Sequence, residues 1–188
     1  MSQKKIFNGF WLLLFFLSAC TPAPSLVNTS ISTHTPTAPP TWVSADLVNA
    51  SSGKHFMIND FKGKVVLVDG MSTWCPTCFK EALELKKLPG MYGSQAGLVT
   101  ISLGLDLKED AGVLNGYAQQ FSFDWPYATA TLEVTRDFGN SYGALFIDPT
   151  LVPMFIVDRQ GHIYSLPFGF KTAEALKKVL DPFINAAS

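Results

Sequence analysis

The segment KGKVVLVDGMSTWCPTC, Lys62 to Cys78, limits the choice of fold more than any other part of the chain. Val65 to Val68 is an unbroken run of β-branched residues and leucine, closed off by Gly63 and Gly70. Such a run predicts a short strand buried on both faces. Beyond the first cysteine, Cys78, Phe79, Ala82, Leu83, Leu85 and Leu88 recur at helical spacing, with Lys and Glu expected on the other face. Pro76 suits a first helical turn, where a backbone N–H is dispensable. Pro89-Gly90 is the expected stop. A strand that enters a helix through Trp-Cys-Pro-Thr-Cys places Cys75 at the helix mouth and Cys78 one turn inside.

The chain has 3 cysteines, and Cys75 and Cys78 are close enough in sequence to pair with each other. A zinc site needs about four ligands, and there is no second cysteine pair; His55 and His162 lack ligand spacing. As a staple, a two-residue loop restrains little unfolded-chain entropy. Thiol–disulfide exchange is the chemistry that fits. At the helix mouth, Cys75 faces free N–H groups and the positive end of the helix dipole, which favour thiolate. Cys78 should be shielded on the apolar face. Cys75 is therefore the expected attacking sulfur and Cys78 the resolving one. Asp69 ends the buried strand, where desolvation should raise its pKa. It is a candidate to accept the Cys78 proton, or else an aspartate that bonds nearby loop amides. Trp74 is expected to lie against Cys75 as an apolar platform, or simply to pack.

The N-terminus, MSQKKIFNGFWLLLFFLSAC, has a short basic region (Lys4, Lys5), an apolar run from Ile6 to Leu17, and small residues leading to Cys20. This is the layout of a secretory signal, too short for a comfortable transmembrane helix. Its end resembles the lipobox of bacterial lipoproteins, which implies cleavage before Cys20 and lipidation of that cysteine; the alternative is an ordinary signal with a chance cysteine. Residues 1–19 are thus the expected signal. Residues 20–41 hold the expected lipidated cysteine and a tether, since Thr21 to Thr41 contains 5 prolines and 9 Ser or Thr, a composition that cannot offset its ordering entropy by burial. Residues 42–188 remain, one domain's worth. The net charge of −1 becomes −3 without Lys4 and Lys5. With no basic run, no nucleic-acid partner is expected.

The remaining pattern predicts a hairpin over Val43 to Ile58 and a core strand over Leu98 to Leu103. It predicts helices over Lys108 to Gln120 and Leu132 to Tyr142, with a short strand over Trp125 to Ala130 between them. Met154 to Val157 and His162 to Leu166 should form a second hairpin. Leu176, Val179, Leu180, Phe183 and Ile184 mark an amphipathic C-terminal helix, with Pro182 a candidate kink in it. The sum is an α/β sandwich.

DFKGKVVLVDGMSTWCPTC, the VTISL strand and VPMFIVDRQGHI together resemble the thioredoxin fold and, within it, the TlpA-like extracytoplasmic thiol–disulfide oxidoreductases. The resemblance covers most of Val43 to Ile184. It implies a thioredoxin-like three-layer α/β/α sandwich with a central mixed sheet, an N-terminal β-hairpin and a TlpA-type insertion over Asp106 to Ala130. It places Asp69 at the family's buried acid and a redox disulfide at Cys75–Cys78. Pro153 falls at the cis-proline, so Val152 and Pro153, with Trp74 and Pro76, become candidate substrate-binding residues. It implies reduction of protein disulfides, a membrane thiol relay as electron donor, a lipid anchor on a bacterial membrane outside the cytoplasm, and no cofactor or metal.

The sequence departs from the family at Met154, where many members have Thr, and at Gly70-Met71-Ser72, where many have Phe-Trp-Ala; the latter should open the wall near the thiols. Two competing functions remain. A thiol peroxidase on the same fold would want Thr at position 72, which is Ser72, and an arginine nearby, for which only Arg136 and Arg159 exist. The other is a lipoprotein that binds a partner without chemistry.

Overall fold

The computed structural model describes residues 40–93 and 97–186. The expected signal, Cys20 and the tether up to residue 39 lie outside the described residues. A five-stranded sheet forms the centre, in the order β5-β4-β3-β6-β7. Its middle strand, β3 (Val65–Met71), is buried at every position. β4 (Leu98–Gly104) and β5 (Tyr127–Thr129) continue parallel to it; β6 (Met154–Val157) runs antiparallel to β3, and β7 (Ile163–Ser165) antiparallel to β6. The sheet is therefore mixed. The N-terminal hairpin is a separate pair, β1 (Leu47–Val48) with β2 (His55–Phe56), in which Leu47 lies opposite Phe56.

The alternation of β3 divides the core. Val65, Leu67 and Met71 join one apolar cluster with Cys75, Cys78 and residues of α1 (Pro76–Leu85), α3 (Ala111–Phe121) and α5 (Ala173–Ile184). Val66 and Val68 join the other, with Trp42, Leu47, Ile58, Phe155 and two residues of α4 (Leu132–Tyr142), Val134 and Phe138. Helices thus cover both faces, as a continuous apolar strand requires, and the architecture is the expected three-layer sandwich.

Most boundaries match the sequence pattern within a few residues, and α4 matches it at both ends. α3 starts late because Asp110 caps it, its side chain accepting from the Val113 N–H. One expectation fails: Pro89-Gly90 does not stop the helix. α1 ends at Leu85, and a second short helix, α2 (Leu88–Tyr92), contains both residues. Pro89 sits in the first turn of α2, where a missing N–H costs nothing. α5 continues through Pro182 to Ile184, and the Arg159 guanidinium donates to the carbonyls of Phe183 and Ile184 at its end. The start of the domain is pinned as well, by Asp137, whose carboxylate accepts from the N–H groups of Thr41 and Trp42.

Candidate active site

β3 delivers the chain to the C-terminal end of the sheet's middle strand, and Thr73 and Trp74 turn it into α1. Two acidic residues ahead of α3 hold that turn. The Glu109 carboxylate accepts from the Thr73 N–H at 2.9 Å and from its hydroxyl, and Asp106 accepts from the Trp74 indole N–H at 2.9 Å. Cys75 then occupies the N-cap of α1, Pro76 is the first helical residue, and the N–H of Cys78 donates to Cys75 Sγ at 3.1 Å. This is the helix-mouth geometry read from the sequence. The two sulfurs are joined, with Cα atoms 5.2 Å apart. The carbonyl of Pro149, in a 3-10 turn ahead of β6, lies 3.1 Å from Cys78 Sγ and 3.6 Å from Cys75 Sγ. It stands within hydrogen-bond reach of a thiol at either position.

Burial is less lopsided than expected. Both cysteines are 1% exposed, so Cys75 is as covered as Cys78. Trp74 is 56% exposed and stands out from the surface. Beside it a groove of about 490 Å³ runs between α1 and α3, lined by Trp74, Cys75, Phe79, Val113, Tyr117 and Phe121 among others and by no charged side chain.

Asp69 is buried on β3. Ser102 Oγ donates to its Oδ1 at 2.6 Å and in turn accepts from the Trp125 indole N–H at 2.8 Å. Burial pushes the Asp69 carboxyl up to about 7 against the pull of that hydrogen bond. A second acid accompanies it. Glu81, one turn beyond Cys78 on α1, is 0% exposed. Desolvation raises it to about 7 as well, while the backbone N–H of Lys171 donates to its Oε2 at 2.8 Å. Its Oε1 is buried with no hydrogen-bond partner.

With this geometry in view, comparison with known proteins is specific. The Redoxin family model matches residues 19–178. The chain belongs to the Redoxin family. It is 29% identical over 141 residues to the thiol-disulfide oxidoreductase ResA of Bacillus thuringiensis subsp. konkukian, covering 75% of this chain and 73% of that one. It is 26% identical over 131 residues to the thioredoxin-like protein YneN of Bacillus subtilis, covering 69% and 71%. The thioredoxin domain of a thiol-disulfide oxidoreductase from Bacteroides vulgatus superposes with a TM-score of 0.62 at 22% identity, over 83% of this chain and 100% of that one. This Redoxin-family chain is a thiol–disulfide oxidoreductase of thioredoxin fold with a Cys75–Cys78 pair.

Three expectations need correction. No peptide bond among the described residues is cis, so the geometry implied for Pro153 is not found; Val152 before it is left-handed instead, at φ 49°. That turn follows from the 3-10 segment Pro149–Leu151, whose Pro149 carbonyl accepts from the Val152 N–H. Nor do Gly70, Met71 and Ser72 open the wall. Met71 and Ser72 are buried, and a Cβ on Gly70 would lie 2.7 Å from Leu105 Cδ1 and 2.8 Å from Pro153 Cγ. Neighbouring side chains have filled the space. Finally, the face of α1 assigned to solvent holds Glu81 inside, while Leu83 is 40% exposed.

The structure keeps Cys75, Cys78, Asp69, Trp74, Pro76, Val152 and Pro153 in one region around the start of α1, the end of β3 and the approach to β6. Pro76 is exposed, whereas Val152 and Pro153 are buried. Their carbonyls are already engaged, Pro153 by the Gly70 N–H at 2.8 Å and Val152 by Lys171 Nζ at 3.4 Å. Sequence reasoning missed Glu81, Lys171, Glu109 and the Pro149 carbonyl. Only Glu81 left a trace: it stands at Cys78 plus three, which puts it beside Cys78 on a helix.

Proposed function

We propose that residues 1–19 are removed as a signal, that Cys20 carries a lipid, and that residues 20–41 tether the domain of residues 42–188 on the outer side of a bacterial membrane, where it reduces disulfides in other proteins. The anchor rests on the Leu-Ser-Ala-Cys ending of the apolar run. Among the described residues no helix is long and apolar enough to cross a membrane. The observation that carries the chemistry is the approach of the Cys78 N–H to Cys75 Sγ at the helix mouth, which stabilises negative charge on that sulfur.

In the reduced protein, Cys75 thiolate attacks a substrate disulfide. A Cys75–substrate S–S bond forms, the substrate bond breaks, and the departing sulfur takes up a proton. Cys78 then gives its proton to a nearby carboxylate, Asp69 or Glu81, attacks Cys75 Sγ and expels the second substrate sulfur. The substrate gains two electrons, and the protein is left with the disulfide seen here. A dithiol donor, by family resemblance a membrane thiol relay, restores the pair. Burial pushes each acid up toward about 7, close to the operating pH of an efficient proton acceptor. The uncharged groove beside Cys75, with Trp74 and Pro76 in its lining, gives an apolar stretch flanking the substrate cysteine a place to lie.

Insulin reduction by dithiothreitol tests the activity. The wild type should accelerate it, and Cys75→Ser should return it to the uncatalysed rate. Cys78→Ser should accumulate mixed disulfides, and equal rates for wild type and Cys75→Ser would leave a binding protein. Metabolic labelling with a radioactive fatty acid tests the anchor, and Cys20→Ser should lose the label. A peroxidase is not favoured, because neither arginine serves the thiols: Arg159 is spent on the end of α5, and Arg136 lines a hollow with Thr41 and Asp137.

A further inference from the structure

The groove beside Cys75 has one wall that the packing of the chain does not explain. α3 lines it with Gly112, Val113, Gly116 and Phe121, and α1 with Phe79, whose ring centroid lies 4.6 Å from that of Phe121. Gly116 stands at the middle of α3, exposed. After proline, glycine is the residue that a helix interior tolerates least. A left-handed backbone, or a neighbour too close for a Cβ, can require one. Neither applies here. Gly116 has no positive φ, and a Cβ built on it would meet no atom within 4 Å. Gly112 differs: its Cβ would lie 3.1 Å from Asp110 Oδ1, the oxygen that caps α3 by accepting from the Val113 N–H. The chain's own contacts account for Gly112 and leave Gly116 open to the groove.

We infer that Gly116 is a specificity-determining residue: by carrying no side chain, it lets a bulky apolar residue next to the substrate cysteine lie across α3 while the substrate disulfide meets Cys75. This rests on the dithiol mechanism proposed above, and it names the class of substrate that the site selects. Cys75 belongs to the lining, so whatever occupies the groove is held beside the attacking sulfur. The volume of about 490 Å³ is that of a binding cleft rather than a packing defect. Trp74 is 56% exposed and Val113 46%, and an apolar occupant would cover both. Tyr117, 8% exposed, also lines the groove, and its hydroxyl has no hydrogen-bond partner among the described residues. A carbonyl of the occupant would satisfy it.

The same lining sets what is refused. Among the described residues no cation lines the groove. Two acids flank its start, Asp106 bonded to the Trp74 indole and Asp110 at the cap of α3. An acidic residue beside the substrate cysteine would lose its water there and gain no partner.

The test is single-turnover reduction of three disulfides by pre-reduced full-length protein. They are the dimer of a short peptide with Phe beside its one cysteine, the same dimer with Asp there, and hydroxyethyl disulfide, which has no flanking residue. The wild type should reduce the Phe peptide about tenfold faster than the Asp peptide. Gly116→Leu fills the groove. Its rate for the Phe peptide, relative to that for hydroxyethyl disulfide, should fall about tenfold from the wild-type ratio. Gly116→Ala should raise the melting temperature by about 2–4 °C, since the fold itself has no use for the glycine. An unchanged ratio in Gly116→Leu, equal wild-type rates for the two peptides, or a lower melting temperature in Gly116→Ala would overturn the inference. Should Gly116→Leu not fold, Gly116→Gln fills the same space and carries the same expectation. A wild type that reduces none of the three disulfides would instead overturn the mechanism on which this rests.

Discussion

The two faces of β3 are built on different terms. On one, Trp42, Phe138, Phe155, Tyr142 and Phe146 pack edge to face or tilted, with ring centroids 4.7–6.4 Å apart. The Trp42 indole N–H finds the Tyr142 hydroxyl at 3.3 Å. On the other face lie the disulfide, Asp69, Glu81 and Lys171. Among the described residues, the buried side-chain N and O atoms without a hydrogen-bond partner belong to Ser72, Glu81, Glu109, Asn115, Tyr117 and Tyr127. All six sit on or beside the thiol face. Buried polar groups are normally satisfied, and an orphan costs about 1–3 kcal/mol. Both faces carry an apolar and aromatic core, and the thiol face carries in addition a polar cost that proton transfer can use.

Substitutions that separate the two terms would sharpen or break this contrast. Phe138→Ala, which opens a cavity on the face away from the thiols, should cost about 3–5 kcal/mol in urea unfolding, while insulin reduction per folded molecule stays at the wild-type rate. An equal fall in both would show that the faces are not independent. Gly70→Ala should cost about 1–3 kcal/mol as overpacking, because the new methyl presses on Leu105 and Pro153. Since Pro153 moves with it, reduction should slow as well, which makes this position the seam between the faces.

The third prediction concerns pH. Asp69 is raised from 3.8 to about 7 by burial, so the folded protein keeps a proton that the unfolded chain releases. Its contribution is complete below about 4 and is lost as the pH rises to about 7, at about 1.4 kcal/mol per pH unit. Glu81 adds a slope of the same sign. Asp69→Asn should roughly halve the decline in stability between pH 4 and 7, measured by denaturant unfolding of the oxidised protein. An unchanged slope would mean that Asp69 is not the buried acid described.

Much of this was legible from the chain alone. Val65 to Val68 could only be an interior strand, and a Cys-x-x-Cys between strand and helix could only sit at a helix mouth, because both follow from near-neighbour geometry and the burial of apolar runs. Local periodicity likewise gave α4 to the residue, the two hairpins and the face of α5. What stayed hidden depended on partners far away in sequence. Glu81 looked like one more surface carboxylate until α5 closed over it and Lys171, 90 positions later, supplied its hydrogen bond. Gly70 looked like an opening until Leu105 and Pro153 occupied the space. The chain by itself determined where the sulfurs stand, since helix dipoles and caps act over one turn. Only the tertiary structure decided which acids lose their water and which cation stays beside them, since desolvation is set by everything that packs around a group and not by its neighbours in the chain.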